Sequence, residues 1–243
     1  MYKKKIIAFC GRARSGKTYL SQVLSDKYNA KIFTVAGNLK KLCCTLLDIS
    51  EITKLNELKN NKTVLNIVPT DDWVWKIHNE TGISEDLIRH ELVNIDTIKD
   101  VRHLLQFVGT NIIRKYYPYW HIDKLVSDIE NDDTTFITID DVRFPNELKA
   151  IKKLGGNAFF IIRTNGITES MISNHESETA LKWYDFNNEH IILNCNSENE
   201  LKNLFCVSYE NDFNDSKVNG LFLSAHEDYL NNPLVIEDLK NQI

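Results

Sequence analysis

The first residues that could do chemistry form the run Gly11-Arg12-Ala13-Arg14-Ser15-Gly16-Lys17-Thr18. The run matches the pattern G-x-x-x-x-G-K-[ST] in full, and it lies between a predicted strand and a predicted helix, as this pattern requires. In such a loop the backbone N–H groups face phosphate oxygens. The lysine reaches the β- and γ-phosphates, and the final hydroxyl helps to hold Mg²⁺. The run therefore predicts a site for the phosphates of a nucleoside triphosphate.

A second group of polar residues, Asp140-Asp141-Val142-Arg143, follows the apolar run Phe136–Ile139. The carboxyl ends of strands are where open α/β sheets bind ligands. A carboxylate of this group could orient Mg²⁺ and its waters or accept a hydrogen bond from a second substrate, and Arg143 could neutralise a transferred phosphoryl group. The alternative is a solvated turn with ordinary charges.

A third group has a four-residue repeat. The predicted helix Ile98–Lys115 presents two guanidiniums, an amide and a hydroxyl along one side, namely Arg102, Gln106, Thr110 and Arg114. Its other side is apolar: Val101, Leu104, Leu105, Val108 and Ile112. The polar side could hold an anionic ligand with polar ring edges, such as a nucleotide, or could be a solvated face. Gly109 in the middle of a helix indicates close approach by a ligand or another backbone.

Alternating strands and helices must position these groups. The apolar runs of strand length are Ile6–Cys10, Ile32–Ala36, Phe136–Ile139, Ala158–Ile162 and Ile191–Leu193. The helical patterns between or after them are Thr18–Tyr28, Asn146–Leu154 and Ser197–Val207. This alternation predicts an α/β fold with a mostly parallel sheet. About a hundred residues between the second and third strands read as helical, with no convincing strand and with a loop at Lys54–Lys62.

The composition disfavours several kinds of partner and site. The chain has 243 residues, is 42% hydrophobic and has a net charge of −5, which disfavours nucleic acid as a partner. Its five cysteines lack C-x-x-C spacing, which disfavours a zinc site or a disulfide framework. No apolar stretch reaches membrane-spanning length. We therefore expect a soluble intracellular protein.

Together these motifs resemble the phage-type deoxynucleoside monophosphate kinases, a branch of the P-loop nucleotide kinases. Besides the first loop, the matching pieces are Ala36–Lys40, Val101–Thr110, Trp120, Asp141–Glu147, Gly155-Gly156, Arg163 and His175–Glu178. The L-Q-x-x-G-T element, the D-x-R-F-P-N-E turn and the H-x-S-E pair are far more specific in combination than the loop alone.

The resemblance implies a parallel five-stranded P-loop kinase sheet with an inserted helical substrate lobe at about 47–130, all within residues 1–207. Residues 208–243 have no counterpart in the family and are expected to form a C-terminal extension. It also implies an ATP- and Mg²⁺-dependent enzyme that makes deoxynucleoside diphosphates in the cytoplasm, host cytoplasm if viral. Its expected partners are small-molecule nucleotides, and no association with a membrane is expected. The resemblance leaves open whether the protein forms a homodimer.

The residues expected at the site follow from the motifs and the resemblance. Those expected to bind ATP are Gly11, Arg14, Ser15, Gly16, Lys17, Thr18 and Arg163, with Thr18 also at the metal. Lys17, Asp141 and Arg143 are the expected catalytic residues. Those expected to bind the acceptor are Leu39, Lys40, Arg102, Gln106, Gly109, Thr110, Arg114 and Trp120.

Other readings stay open at this stage. A phosphomevalonate kinase would have similar D-x-R and S-E motifs late in the chain, and a dephospho-CoA kinase would be a more distant relative. A non-kinase P-loop NTPase would share the first loop. Residues 47–98 match the family poorly, Arg163 is not followed by the usual Pro-Gly, and His175 and Glu178 could order a loop as readily as act in catalysis. Which base is accepted therefore stays undetermined.

Overall fold

The structure, a computed structural model, describes residues 4–12, 15–163, 179–181 and 191–194. In this part of the chain the strands are β1 Lys5–Cys10, β2 Lys31–Phe33, β3 Val64–Ile67, β4 Ile98–Asp100, β5 Phe136–Val142, β6 Asn157–Arg163 and β7 Ile191–Asn194. The α-helices are α1 Lys17–Tyr28, α2 Gly37–Leu46, α3 Ile52–Asn60, α4 Asp71–Thr81, α5 Glu85–Val93, α6 Val101–Gln106, α7 Trp120–Glu130 and α8 Pro145–Lys153. A π-helical segment, Phe107–Arg114, continues α6.

These described residues form two compact units. The first consists of the residues before Val35 and after Asn131, and the second is Val35–Asn131. In the first unit the strands pair in the order β2-β5-β1-β6-β7, and every neighbouring pair is parallel. The prediction of an α/β fold with a parallel sheet flanked by helices is confirmed.

The central strand of this sheet is β1, which lies between β5 and β6. Ala8 pairs with Ile139 on one side and with Ala158 on the other. Both faces of β1 are covered, so five of its six residues are buried, which explains its uninterrupted apolar sequence. The central position places the end of β1 beside the end of β5.

Helices α1 and α8 begin and end where local sequence favours it. Gly16 precedes α1 with a φ of 107°, and Asn29 follows it in the left-handed conformation. Pro145 is the first residue of α8, a position where proline costs no hydrogen bond. The helices predicted at Thr18–Tyr28 and Asn146–Leu154 are thus confirmed, whereas Ser197–Val207 lies outside the described residues.

The second unit has its own core and its own small sheet. Its buried cluster is built from α2 to α7 and the π-helical segment, with Leu55, Ile77, Leu104 and Ile112 at 0% exposure. The prediction of a helical lobe without strands is wrong in one respect, because β3 and β4 pair antiparallel, with Val64 opposite Asp100. Four- and three-residue strands are too short to show a clear alternation in sequence.

Two boundaries in this unit also differ from expectation. Lys54–Lys62 is not a loop, since α3 covers most of it. Leu55 is fully buried, and Ile52 and Leu58 pack beside it at three-residue spacing, so tertiary packing outweighs a polar sequence. The predicted helix Ile98–Lys115 starts only at Val101, because Ile98–Asp100 is a strand.

The helices of the described residues are also too short or too polar to cross a bilayer.

The turn between β5 and α8 generates a prediction about stability. Glu147 is fully buried, and its Oε2 accepts hydrogen bonds from the backbone N–H groups of Arg143 (2.8 Å) and Phe144 (3.1 Å). Glu147→Ala would leave both donors without this acceptor and should lower the free energy of unfolding by roughly 2 to 3 kcal/mol in urea denaturation.

A matched control lies on the same helix, where Lys149 is exposed. Lys149→Ala should change the free energy of unfolding by less than about 0.5 kcal/mol. Equal effects of the two substitutions would contradict the role given to Glu147.

Candidate functional site

The loop between β1 and α1 is a tight turn that begins and ends with strained glycines. Gly11 has a φ of +128°, and a Cβ on it would lie 2.4 Å from the carbonyl oxygen of Ile161 on β6. Gly16 also has a positive φ. Both the backbone conformation and the lack of space exclude a side chain at Gly11, and the positive φ of Gly16 favours glycine there.

Lys17 starts α1 and folds back over this loop. Its side chain is buried, and Nζ donates to the carbonyl oxygens of Gly11 (2.8 Å) and Arg12 (2.6 Å). The helix itself begins without a side-chain cap. A cation and uncapped backbone N–H groups thus lie at one end of α1, which is the arrangement that binds anions.

Thr18 contacts the carboxylate of Asp140, at the end of β5. Thr18 Oγ1 donates to Asp140 Oδ2 at 3.1 Å. One turn further along α1, the hydroxyls of Ser21 and Thr138 lie 3.1 Å apart and are fully buried. The two contacts share a register, since residues three apart on a helix and two apart on a strand face the same way.

The strand is irregular at this carboxylate. Ala8 pairs with Ile139, and Cys10 pairs with Val142, so β5 has one extra residue opposite β1. A bulge of this kind redirects side chains and is frequent beside active sites. Asp140 and Asp141 are the residues within it. The sequence pointed to Asp141, whereas the structure places Asp140 against Thr18 and leaves the role of Asp141 as a prediction.

The pair formed by Thr18 and Asp140 fits a hard divalent cation. A hydroxyl and a carboxylate are oxygen ligands of the type that Mg²⁺ uses in phosphate sites, together with waters and substrate phosphates. Thr18 is exposed and Asp140 is half-buried, so a ligand can reach both. Among the described residues no group of three or more His, Cys, Asp or Glu side chains could hold a metal on its own. The pair therefore suits a metal that arrives with phosphate.

Two of the residues expected around this site lie beyond what the structure describes. Arg14 and the side chain of Arg163 are outside the described residues, as are His175 and Glu178. Ser15 is buried next to Gly16, and Arg143 is half-buried between β5 and α8. The structure thus brings Gly11, Lys17 and Thr18 together with Asp140 in the first unit.

The eight residues predicted for the acceptor all lie in the second unit, in two groups. Leu39, Gly109 and Trp120 are buried within its interior. The five with polar side chains, Lys40, Arg102, Gln106, Thr110 and Arg114, are half-buried or exposed. The first group thus supports the helices, and the second is accessible to a ligand.

Gly109 packs closely against a side chain of α2. A Cβ on Gly109 would lie 2.7 Å from Leu39 Cδ2, so the glycine allows α2 to pack against the π-helical segment. The close approach expected at Gly109 is confirmed, and its neighbour among the described residues is a leucine side chain and not another backbone. Whether Leu39 and Gly109 also contact an acceptor stays a prediction.

His121 is a residue that the sequence analysis missed. It is 3% exposed, its Nε2 lies 3.5 Å from the carbonyl oxygen of Gly109, and its Nδ1 has no hydrogen-bond partner within the described residues. Its ring stacks edge-on against Trp120 with centroids 5.1 Å apart. Burial, aided by the positive charge of Arg114, lowers the pKa of His121 to about 3. The ring is therefore neutral at ordinary pH.

The two aromatic residues of α4 have different environments. Trp73 is buried in the core of the second unit. Trp75 is 59% exposed.

Comparison with known proteins gives two matches. A family model described as deoxynucleotide monophosphate kinase matches residues 55–205, which is more than half of the chain. The chain is also 27% identical, over 179 residues, to a protein of Acanthamoeba polyphaga mimivirus that is provisionally named a deoxynucleotide monophosphate kinase. That alignment covers 73% of this chain and 82% of the relative.

The buried histidine predicts how stability depends on pH. Because the folded pKa lies far below the usual value of about 6.5, the unfolded chain binds a proton first as the pH falls. The contribution of His121 is complete above about pH 6.5 and is lost as the pH falls toward 3. Between pH 7.5 and 5 it should cost about 2 kcal/mol of unfolding free energy.

Urea denaturation at a series of pH values tests this expectation. The quantity compared is the slope of the unfolding free energy against pH, and not the unfolding free energy at one pH. His121→Phe should remove that part of the pH dependence, whereas His90→Gln, at an exposed position, should retain the wild-type slope. An unchanged slope in His121→Phe would show that the histidine is not the titrating group.

Proposed function

The chain belongs to the deoxynucleotide monophosphate kinase family, and from this premise we propose that it transfers the γ-phosphoryl group of ATP to a deoxynucleoside monophosphate. A kinase of this family uses a nucleotide phosphate donor and acts on small-molecule nucleotides. The observation that supports the proposal most directly is the contact of Thr18 with Asp140 beside the loop Gly11–Gly16. It joins a phosphate-binding sequence pattern to a carboxylate at a strand end.

In this proposal the first unit binds the donor. The loop Gly11–Gly16 is the phosphate-binding loop, and its N–H groups and those of the first turn of α1 face the phosphates. Lys17 would exchange its bonds to loop carbonyl oxygens for bonds to the β- and γ-phosphates. Thr18 and Asp140 would hold Mg²⁺, which supplies positive charge to the transferring group when bound.

Charge on the transferring group also needs protein cations. Arg143 is permanently charged and follows the bulged end of β5, so we assign it to the phosphoryl oxygens. Asp141 is assigned to the acceptor sugar or to waters of the metal. Catalysis by these residues is positioning and charge neutralisation, because phosphoryl transfer asks for little covalent chemistry from a protein.

The acceptor is assigned to the polar face of α6 and the π-helical segment. Arg102 is exposed at the start of this face and suits the acceptor phosphate, while Gln106 and Thr110 offer an amide and a hydroxyl to the base or sugar. Arg114 lies twelve positions after Arg102, which corresponds to about 18 Å at the rise of an α-helix and to somewhat less where the segment is π-helical. The two guanidiniums would therefore contact different parts of the acceptor.

A product assay tests the proposed function. Purified protein is incubated with labelled ATP, Mg²⁺ and a panel of deoxynucleoside monophosphates, phosphomevalonate and dephospho-CoA, and the products are separated. We expect labelled deoxynucleoside diphosphate, and loss of roughly 10²-fold or more in turnover for Lys17→Ala. Product from phosphomevalonate or dephospho-CoA alone, or phosphate release without transfer, would refute the proposal.

The two neighbouring carboxylates should differ in their metal dependence. Asp140→Asn weakens an oxygen ligand beside Thr18, so it should raise the Mg²⁺ concentration needed for half-maximal rate by about 10-fold or more. Asp141→Asn, the matched neighbour, should instead raise the acceptor KM. The measurement is a Mg²⁺ titration at saturating ATP for both variants, and an Asp140→Asn titration that coincides with the wild type would contradict this assignment.

A further inference from the structure

The polar face of the second unit depends on an unusual helix. In an α-helix, residues four apart drift around the axis by about 40° at each step. A π turn has i→i+5 hydrogen bonds and is wider, so there a four-residue step falls short of a full turn and the drift reverses. The change from α to π at Phe107 therefore keeps Arg102, Gln106, Thr110 and Arg114 near one face.

This geometry needs support from outside the helix. π-helical segments are rare and usually short, because their own hydrogen bonds do not favour them over an α-helix. The start of the helix is capped by Asp100 Oδ1, which accepts from the N–H of His103 at 2.8 Å. In the middle, Leu39 and His121 contact Gly109.

The end of the π-helical segment is held by Glu91 of α5. Glu91 Oε1 accepts a hydrogen bond from Lys115 Nζ at 2.7 Å and another from the Tyr116 hydroxyl at 2.5 Å. Both donors come directly after Arg114, the last residue of the segment. Glu91 itself is 8% exposed, and the bond from Lys115 lowers the pKa of its carboxyl.

We infer that Glu91 is a positioning residue for the acceptor, acting through Lys115 and Tyr116 to fix where Arg114 lies on the polar face. This inference rests on the proposed function. It assigns a role to a carboxylate that contacts no predicted ligand, and it makes the π-helical geometry a requirement for binding the monophosphate.

Stability alone is a weaker account of this carboxylate. The Lys115 side chain is 51% exposed and that of Glu91 is 11% exposed, so this pair is open to solvent on the lysine side and adds little net stability. In the other described ion pairs of this unit the carboxylate is more exposed than Glu91, as with Glu85, whose side chain is 46% exposed. Glu91 differs because both of its donors adjoin a segment that would otherwise relax.

The test compares Glu91→Gln with wild type. Glutamine keeps the size of the side chain and can still accept a hydrogen bond from Tyr116, so the unit should fold. It loses the negative charge that holds Lys115. We expect the acceptor KM to rise roughly 10-fold with the ATP KM unchanged, and the amides of residues 107–114 to exchange hydrogen faster. Tyr116→Phe should change the acceptor KM in the same direction.

The matched control is Glu85→Gln, on the same helix, which should leave both KM values and the exchange of residues 107–114 as in wild type. An unchanged acceptor KM in Glu91→Gln, or an equal rise in the ATP KM, would overturn the inference. The two hypotheses separate clearly. A wild-type protein that phosphorylates no monophosphate counts against the proposed function, whereas unchanged exchange in Glu91→Gln counts against the support by Glu91.

Discussion

The hydrogen bond between Thr18 and Asp140 is the contact on which the proposed donor site depends, since it joins residues 122 positions apart. It requires β5 to lie next to β1 and requires α1 to pack on β5 in one register. The buried contact of Ser21 with Thr138 sets that register, because two fully buried hydroxyls need each other as partners. Sheet order, helix packing and the place of a metal ligand are therefore consequences of the same few side chains.

Much of the first unit could be predicted from sequence because its signals are local. The strand β1 is apolar from Ile6 to Cys10, and Gly11 in the next loop has no room for a side chain. The second unit was harder, since its elements depend on tertiary contacts. α3 is polar apart from the residues that pack on the core, and β3 is only four residues long. Neither has a periodicity that outweighs its composition.

The candidate site likewise has features that local sequence predicts and features that depend on tertiary contacts. A phosphate-binding loop and an acidic strand end can be predicted from residue types, but the choice between Asp140 and Asp141 depends on one extra residue in β5. That bulge is a property of pairing with β1, which no local pattern records. Likewise, Gly109 signalled a close approach, yet only the packed structure identifies Leu39 as the neighbour. His121 gave no signal beyond a single histidine in an amphipathic helix.

The π-helical segment Phe107–Arg114 also bears on how relatives of this chain should be aligned. A π turn holds one residue more than the α turn it replaces, so a homologue that lacks one residue there can keep α7 and Trp120 in place with an ordinary α-helix. A one-residue gap between Phe107 and Arg114 is then a change of helix type and not a loss of sequence. Members of the family with and without that gap would present the polar side chains of this segment at different spacings.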